Sequence, residues 1–346
     1  MHHNREHIKM NKKNHRIVLA HRPDGEPKET DFRLEETNIP EVGPGQVLVR
    51  VIYLSLDPYM RGRMRDEESY APPVVLGEVM TGGTVGEVIV SNHTGFAVGD
   101  IVGDRLGWQE YGIGDTASLR KIDPTIAPIS TANGILGMPG MTAYCGLFEV
   151  GRPKVGETVV VSAASGAVGQ VVGQLARLAG CRVVGIAGGE MKCRYVKDEL
   201  GFDACVDYKL TTDLSSALED ACPEGVDVYF DNVGGPISDA VALRLNTWAR
   251  VVVCGAISQY NSLEPELAPR LPPFFVGRRV QSRGFIVSDF AAHFPPAMHI
   301  MGKLIREGKL KYREDIVDGL ENAPRAFMGL LRGENFGKLQ VRVGAE

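Results

Sequence analysis

The sequence predicts an α/β chain in two parts: a β-rich unit, and a doubly wound parallel sheet with crossover helices. Three observations carry this. Residues 16 to about 133 hold short alternating apolar runs separated by Pro, Gly and Asp clusters, the pattern of a small barrel or sandwich. From about residue 134, continuous apolar runs alternate with helical stretches, which calls for parallel strands joined by crossovers. One of these runs passes through a glycine turn directly into a helix.

In the β-rich part, residues 47–53 (VLVRVIY) alternate, 82–90 (GGTVGEVIV) follow, and 101–102 come after the Gly99-Asp100 turn signal. In the second part, residues 158–163 form a continuous apolar run suited to a central parallel strand. Residues 170–179 place Val171, Val172, Leu175 and Leu178 on one helical face. Arg182–Ala187 reads as the next strand and 192–200 as a helix stopped by Gly201; 226–230, 250–254 and 280–287 continue the strand series. After residue 305 the chain returns to mixed segments ending in a strand over 338–343.

Composition narrows the function classes. The 346 residues are 44% hydrophobic and 23% charged, enough for about two domains of ~150 residues and inconsistent with disorder. A net charge of −5 offers no footprint for nucleic acid or an anionic membrane surface. No apolar run approaches ~18 residues, so no membrane span is expected. The six cysteines form no C-x-x-C pair, which speaks against a zinc ribbon or disulfide framework and for a reducing cytoplasm. Residues 1–15, with His2, His3, His7 and His15 among basic residues, read as a frayed tail or tag. No histidine lies between His93 and His293, so a Ser-His-Asp relay would have to borrow His293 or His299, which sit at a helix start.

The strongest local signal is VVVSAASGAVGQ at 159–170, a G-x-G-x-x-G fingerprint with Ala164 in the first glycine position, then Gly166 and Gly169. Such a turn lets backbone approach a pyrophosphate, and the helix after it offers free N–H groups and a partial positive charge. Gly173, one turn later, allows close helix packing. An NAD site would carry an acid at the end of the second strand; Ala187-Gly188-Gly189 carries none, and Lys192 follows. A lysine there pairs with a 2′-phosphate, although Glu190 is a dissenting charge. The coenzyme expected is NADP(H). Residues 333–338 (GENFGK) lack P-loop spacing, and 163–167 lack the glycines of a nucleophile elbow.

Five ordered segments extend this picture: YLSLDPYMR (53–61), AASGAVG (163–169), YFDNVGG (229–235), CGAISQYN (254–261) and NFGK (335–338). Through them the chain resembles the medium-chain dehydrogenase/reductase superfamily. Within it, the chain is similar to the zinc-independent 2-alkenal, leukotriene/prostaglandin and bacterial curcumin double-bond reductases. The resemblance implies a GroES-like catalytic domain (16–133 and 306–346) around an inserted Rossmann domain (134–305), and a homodimer. Zinc members carry a Gly-His-Glu stretch where this chain has Gly77-Glu78-Val79, and no cysteine precedes Cys145, so metal ligands are missing.

By the same resemblance, Gly166, Ala167, Val168 and Gly169 line the pyrophosphate, and Lys192 and Tyr208 hold the 2′-phosphate. Asn232 and the turn Cys254, Gly255, Ala256, Ile257, Ser258, Gln259 and Tyr260 flank the coenzyme. Phe285, Ile286 and Val287 run beside the nicotinamide, and Asn335 binds from the returning segment. Hydride added to the β-carbon of a conjugated carbonyl leaves charge on oxygen, which an O–H donor can stabilise. Tyr260 is the first candidate donor and Tyr53 the second, since a phenol with pKa near ~10 stays protonated. Tyr53, Tyr59, Met60, Trp108 and Phe274 are candidates for an apolar substrate wall, and 264–275 for a loop over the pocket. The expected substrate is a small apolar conjugated carbonyl. A quinone reductase and a non-catalytic NADPH-binding protein are the alternatives.

Overall fold

The computed structural model describes residues 13–346. A hairpin of β1 (Lys13–Leu19) and β2 (Phe32–Asn38) comes first. Residues 13–15, expected in the frayed tail, belong to β1; the buried Asn14 side chain donates to the Tyr111 carbonyl and accepts from the Tyr111 N–H at 3.0 Å each. The rest of that expected tail lies outside the described residues.

Next come β3 (Val47–Ser55), α1 (Tyr59–Arg63), β4 (Thr84–Ser91), β5 (Ile101–Asp104), β6 (Tyr111–Gly114) and β7 (Arg120–Lys121). The α/β region runs α2 (Met138–Cys145), β8 (Thr158–Ser162), α3 (Gly169–Leu178), β9 (Arg182–Ala187), α4 (Glu190–Arg194), β10 (Ala204–Asp207), α5 (Leu214–Ala221), β11 (Val226–Asp231), α6 (Gly235–Ala242), β12 (Leu245–Val253), α7 (Pro272–Arg278), β13 (Gln281–Gly284) and α8 (Phe294–Arg306). The chain ends through β14 (Glu314–Asp318), α9 (Ala323–Leu331) and β15 (Lys338–Arg342).

Strands β8 to β13 form one parallel sheet in the order β10-β9-β8-β11-β12-β13. The order reverses beside β8, the crevice where such sheets bind ligands. Every residue of β8 is buried, as its unbroken valine run demands of a strand covered on both faces. The second sheet, β14-β15-β3-β4-β5-β7 with β6 on β3, takes strands from both sides of the parallel sheet in sequence. The returning strand β15 pairs antiparallel with β3, which carries C-terminal residues back to the start of the chain.

Three local readings change. The strand read over 280–287 stops at Gly284, and residues 285–287 leave the ladder and reach the cavity described below. The helix read over 192–200 is α4 followed by a wider turn through Glu199. Gly173 admits an aromatic ring rather than the sheet itself: a Cβ there would stand 1.8 Å from the Phe202 ring. Among the described residues, no helix is long and apolar enough to cross a membrane.

Candidate active site

A cavity of about 1910 Å³ takes its walls from both sheets. At its centre β8 ends in the glycine turn. The Gly166 N–H donates to the Ala163 carbonyl at 2.9 Å. A Cβ on Gly169 would fall 2.3 Å from that same oxygen, so only glycine closes this turn before α3 begins. Gly166 also forms a parallel bridge with Gly337, which brings the returning segment and Asn335 onto the turn. The Asn335 amide donates to the Gly337 carbonyl at 2.9 Å and lines the cavity with Gly166, Ala167, Val168 and Gly169.

Beyond the turn, β9 ends at Ala187, and Gly188, Lys192 and Tyr208 line the cavity. The Lys192 ammonium is half-buried and donates to the Gly333 carbonyl at 2.7 Å. Its pKa is lowered by loss of water first and by the neighbouring Lys209 charge second. A half-buried ammonium on the cavity wall beside a bare glycine turn fits a pyrophosphate nucleotide with an extra 2′-phosphate, the NADP(H) case. Lys192→Gln is therefore expected to weaken NADPH binding roughly tenfold or more, the worth of a charge-assisted contact of about 1.5–3 kcal/mol, while NADH binding changes little. Titrating both coenzymes into the wild type and the variant checks this.

The opposite wall is built by β11 and β12. The Asp231 Oδ1 atom accepts from the Tyr229 hydroxyl (2.9 Å), the Ser162 hydroxyl (3.2 Å) and the N–H groups of Val233 (3.0 Å) and Gly234 (2.9 Å). That hub fixes the turn where Asn232 donates to the Ser162 carbonyl at 2.8 Å. After β12, Cys254, Gly255, Ile257, Ser258 and Tyr260 line the cavity, whereas Ala256 and Gln259 do not. The Gln259 amide turns away toward Glu266, and the Ala256 N–H donates to the Tyr260 hydroxyl oxygen at 3.3 Å. That bond uses the phenol as acceptor and leaves its proton available. Burial raises the Tyr260 pKa above its usual 10.0, so the proton is held at neutral pH. Burial first, and the Asp231 charge second, push the Cys254 thiol up to about 12, which leaves it inert as a nucleophile. Phe285, Ile286 and Val287 line the cavity, with Phe285 edge-on to Phe230 and Phe290.

Four of the expected substrate-wall residues lie elsewhere. Tyr53 is buried in the β-rich unit, its hydroxyl bonded to the Glu346 carboxylate and its pKa pushed up to about 12, chiefly by burial. It can serve neither as donor nor as wall. Trp108 is fully buried, stacked on Phe32 at 5.5 Å and edge-on to Phe327. Met60, also fully buried, faces the same core because α1 turns its apolar side inward. Phe274, with Leu271 and Phe275, packs against the parallel sheet at α7, residues 264–270 are exposed, and none of 264–275 lines the cavity. Of the group only Tyr59 lines it.

Sequence reasoning missed one pair that does line it. The Lys338 ammonium, almost fully buried, sits 2.7 Å from Asp57 Oδ1 and donates to the Leu56 carbonyl at 2.8 Å. The Ser55 hydroxyl bonds Asp57 from the other side. Both residues fall within motifs already singled out, but nothing in sequence says that they pair. Among the described residues, no cluster of three or more His, Cys, Asp or Glu side chains is placed to hold a metal ion.

Comparison with known proteins follows the same division. The family described as "N-terminal domain of oxidoreductase" matches residues 15–122, and the one described as "Zinc-binding dehydrogenase" matches 167–303. The NADPH-dependent curcumin reductase of Escherichia coli K12 is 50% identical over 96% of this chain and 98% of its own length. The NADP(+)-dependent 2-alkenal reductase of Nicotiana tabacum is 44% identical over 96% and 98%. The crystal structure of CurA in complex with NADPH from Vibrio vulnificus superposes with a TM-score of 0.92 at 47% identity, over 96% of this chain and 100% of that one.

Proposed function

The chain belongs to the medium-chain dehydrogenase/reductase superfamily, in the group of curcumin, 2-alkenal and prostaglandin reductases, and on that premise we propose how its residues work. It is an NADPH-dependent oxidoreductase that reduces the carbon–carbon double bond of α,β-unsaturated ketones and aldehydes. One observation carries the site assignment: the glycine turn, residues 285–287 and a phenol held protonated all line one cavity.

NADPH, when bound, supplies the hydride. Gly166, Ala167, Val168, Gly169 and the start of α3 hold its pyrophosphate, Lys192 and Tyr208 its 2′-phosphate, and Asn232 and Asn335 its flanks. Phe285, Ile286 and Val287 give the nicotinamide an apolar wall. As hydride reaches the β-carbon, charge gathers on the carbonyl oxygen, and the Tyr260 O–H donates to it. Tyr59 packs against the apolar body of a small conjugated substrate. Comparing NADPH oxidation with 2-alkenals, curcumin and benzoquinones tests the reading. Saturated carbonyl products from the enones support it; turnover of quinones alone would reassign the protein as a quinone reductase.

A homodimer accompanies this reading. Strand β13 is the uncovered edge of the parallel sheet and all four of its residues are exposed, a surface open to pairing with a second copy. Light scattering is expected to give twice the monomer mass; a monomer would overturn the pairing. A cytoplasmic location fits six free cysteines.

A further inference from the structure

The loop that carries Tyr260 is fastened from outside its own unit. Tyr260, Asn261 and Ser262 follow β12 in the parallel-sheet part of the chain, yet two arginines of the β-rich unit meet their polar groups. Arg65 lies two residues beyond α1, and its Nη2 donates to the Tyr260 carbonyl at 3.0 Å and to the Ser262 carbonyl at 2.9 Å. Arg61, inside α1 and fully buried, donates through Nε to Asn261 Oδ1 at 3.0 Å and through Nη2 to the Gly25 carbonyl at 2.7 Å. Neither arginine lines the cavity.

Within its own unit the stretch is held by short-range bonds. The Tyr260 N–H reaches the Ile257 carbonyl at 3.4 Å, the Ser262 N–H the Gln259 carbonyl at 3.0 Å, and the Ala256 N–H the phenol oxygen at 3.3 Å. Residues 263–270 are exposed, so the chain beyond offers the loop no packing. A cationic donor makes a hydrogen bond roughly twice as strong as a neutral one, and Arg65 sets one nitrogen between the two carbonyls that flank Asn261. Its other terminal nitrogen stands 3.7 Å from Glu67, an exposed and solvent-screened carboxylate that does not explain the placement. The same short helix carries Tyr59 on the cavity wall, so one segment sets both the apolar surface and the loop bearing the phenol.

We propose that Arg65 is a positioning residue: with Arg61 beside it, its guanidinium holds the Tyr260 loop against the β-rich unit and so aims the phenol at the carbonyl oxygen of the acceptor. It acts through the Tyr260 main chain. A donor displaced by about 1 Å loses much of its effect on the transition state, which is the cost of releasing this loop. The inference rests on Tyr260 being the donor.

The test is a cycle of Arg65→Gln, Tyr260→Phe and the double variant, with a 2-alkenal as acceptor. R65Q is expected to lower kcat about tenfold, with the alkenal KM and NADPH affinity changed by no more than about twofold. In the Y260F background the same substitution should cost no more than about twofold, because the group it aims is already gone. Arg65→Lys, which keeps the charge but reaches one carbonyl at most, should lose about threefold alone and nothing further with Y260F. That second cycle decides the matter if R65Q fails to fold. A wild-type kcat in the Arg65 variants, or a loss as large with Y260F as without it, would overturn the role of Arg65 and leave Tyr260 as donor. Y260F at the wild-type kcat would instead remove the donor role of Tyr260, and this inference with it.

Discussion

Replacing Tyr260 by phenylalanine is expected to lower kcat/KM for 2-alkenals by about 10²-fold, roughly 2.7 kcal/mol of barrier, while NADPH affinity changes by no more than about twofold. The ring still packs on the 254–260 turn; the donor to the developing enolate is lost, together with the long 3.3 Å bond the hydroxyl accepts from the Ala256 N–H. A non-catalytic NADPH-binding protein predicts no such dependence. The pH profile carries the same information. A donor must be protonated, and burial raises this phenol above 10.0, so activity relying on it persists through neutral pH and falls only as pH passes that raised value. An alkaline limb near pH 8 would assign the donation to another group.

The second large effect is on stability. Lys338→Met should destabilise the protein by about 3–5 kcal/mol, read as a shift in the urea midpoint, because it strands the Asp57 carboxylate in a nearly dry site. The pair also ties the end of β3 to the start of β15, so the wall carrying Tyr59 and the segment carrying Asn335 share one fastening. Removing both charges in Lys338→Met with Asp57→Leu is expected to recover most of the loss, since well-packed apolar groups often replace a buried ion pair without penalty. A single variant as stable as wild type would show that water reaches the carboxylate.

What the sequence made legible was what repeats locally. The valines of β8, the glycine turn and the helical face of α3 each state their conformation within a dozen residues, and the parallel sheet followed from their alternation. The return of β15 to β3 depends on a partner nearly three hundred residues away, and the resemblance rather than periodicity supplied it. Site residues divide the same way. Gly169 is demanded by a carbonyl six residues before it, and Lys192 by its place after β9. Tyr53 in β3, Met60 in α1 and Trp108 in the connection between β5 and β6 misled because a large side chain in such a segment has two faces available. Whether it meets a cavity or a core depends on packing from distant elements, here Glu346 for Tyr53 and Phe327 for Trp108. Lys338 was silent for the same reason: its meaning lies in the distant carboxylate it meets.

The measurement that bears most directly on the account is the fate of the hydride. NADPH carrying deuterium at both C4 positions, incubated with a 2-alkenal and this protein, should give a saturated aldehyde with one deuterium on the former β-carbon. Deuterium on the carbonyl carbon of an allylic alcohol, or a saturated product without label, would contradict it.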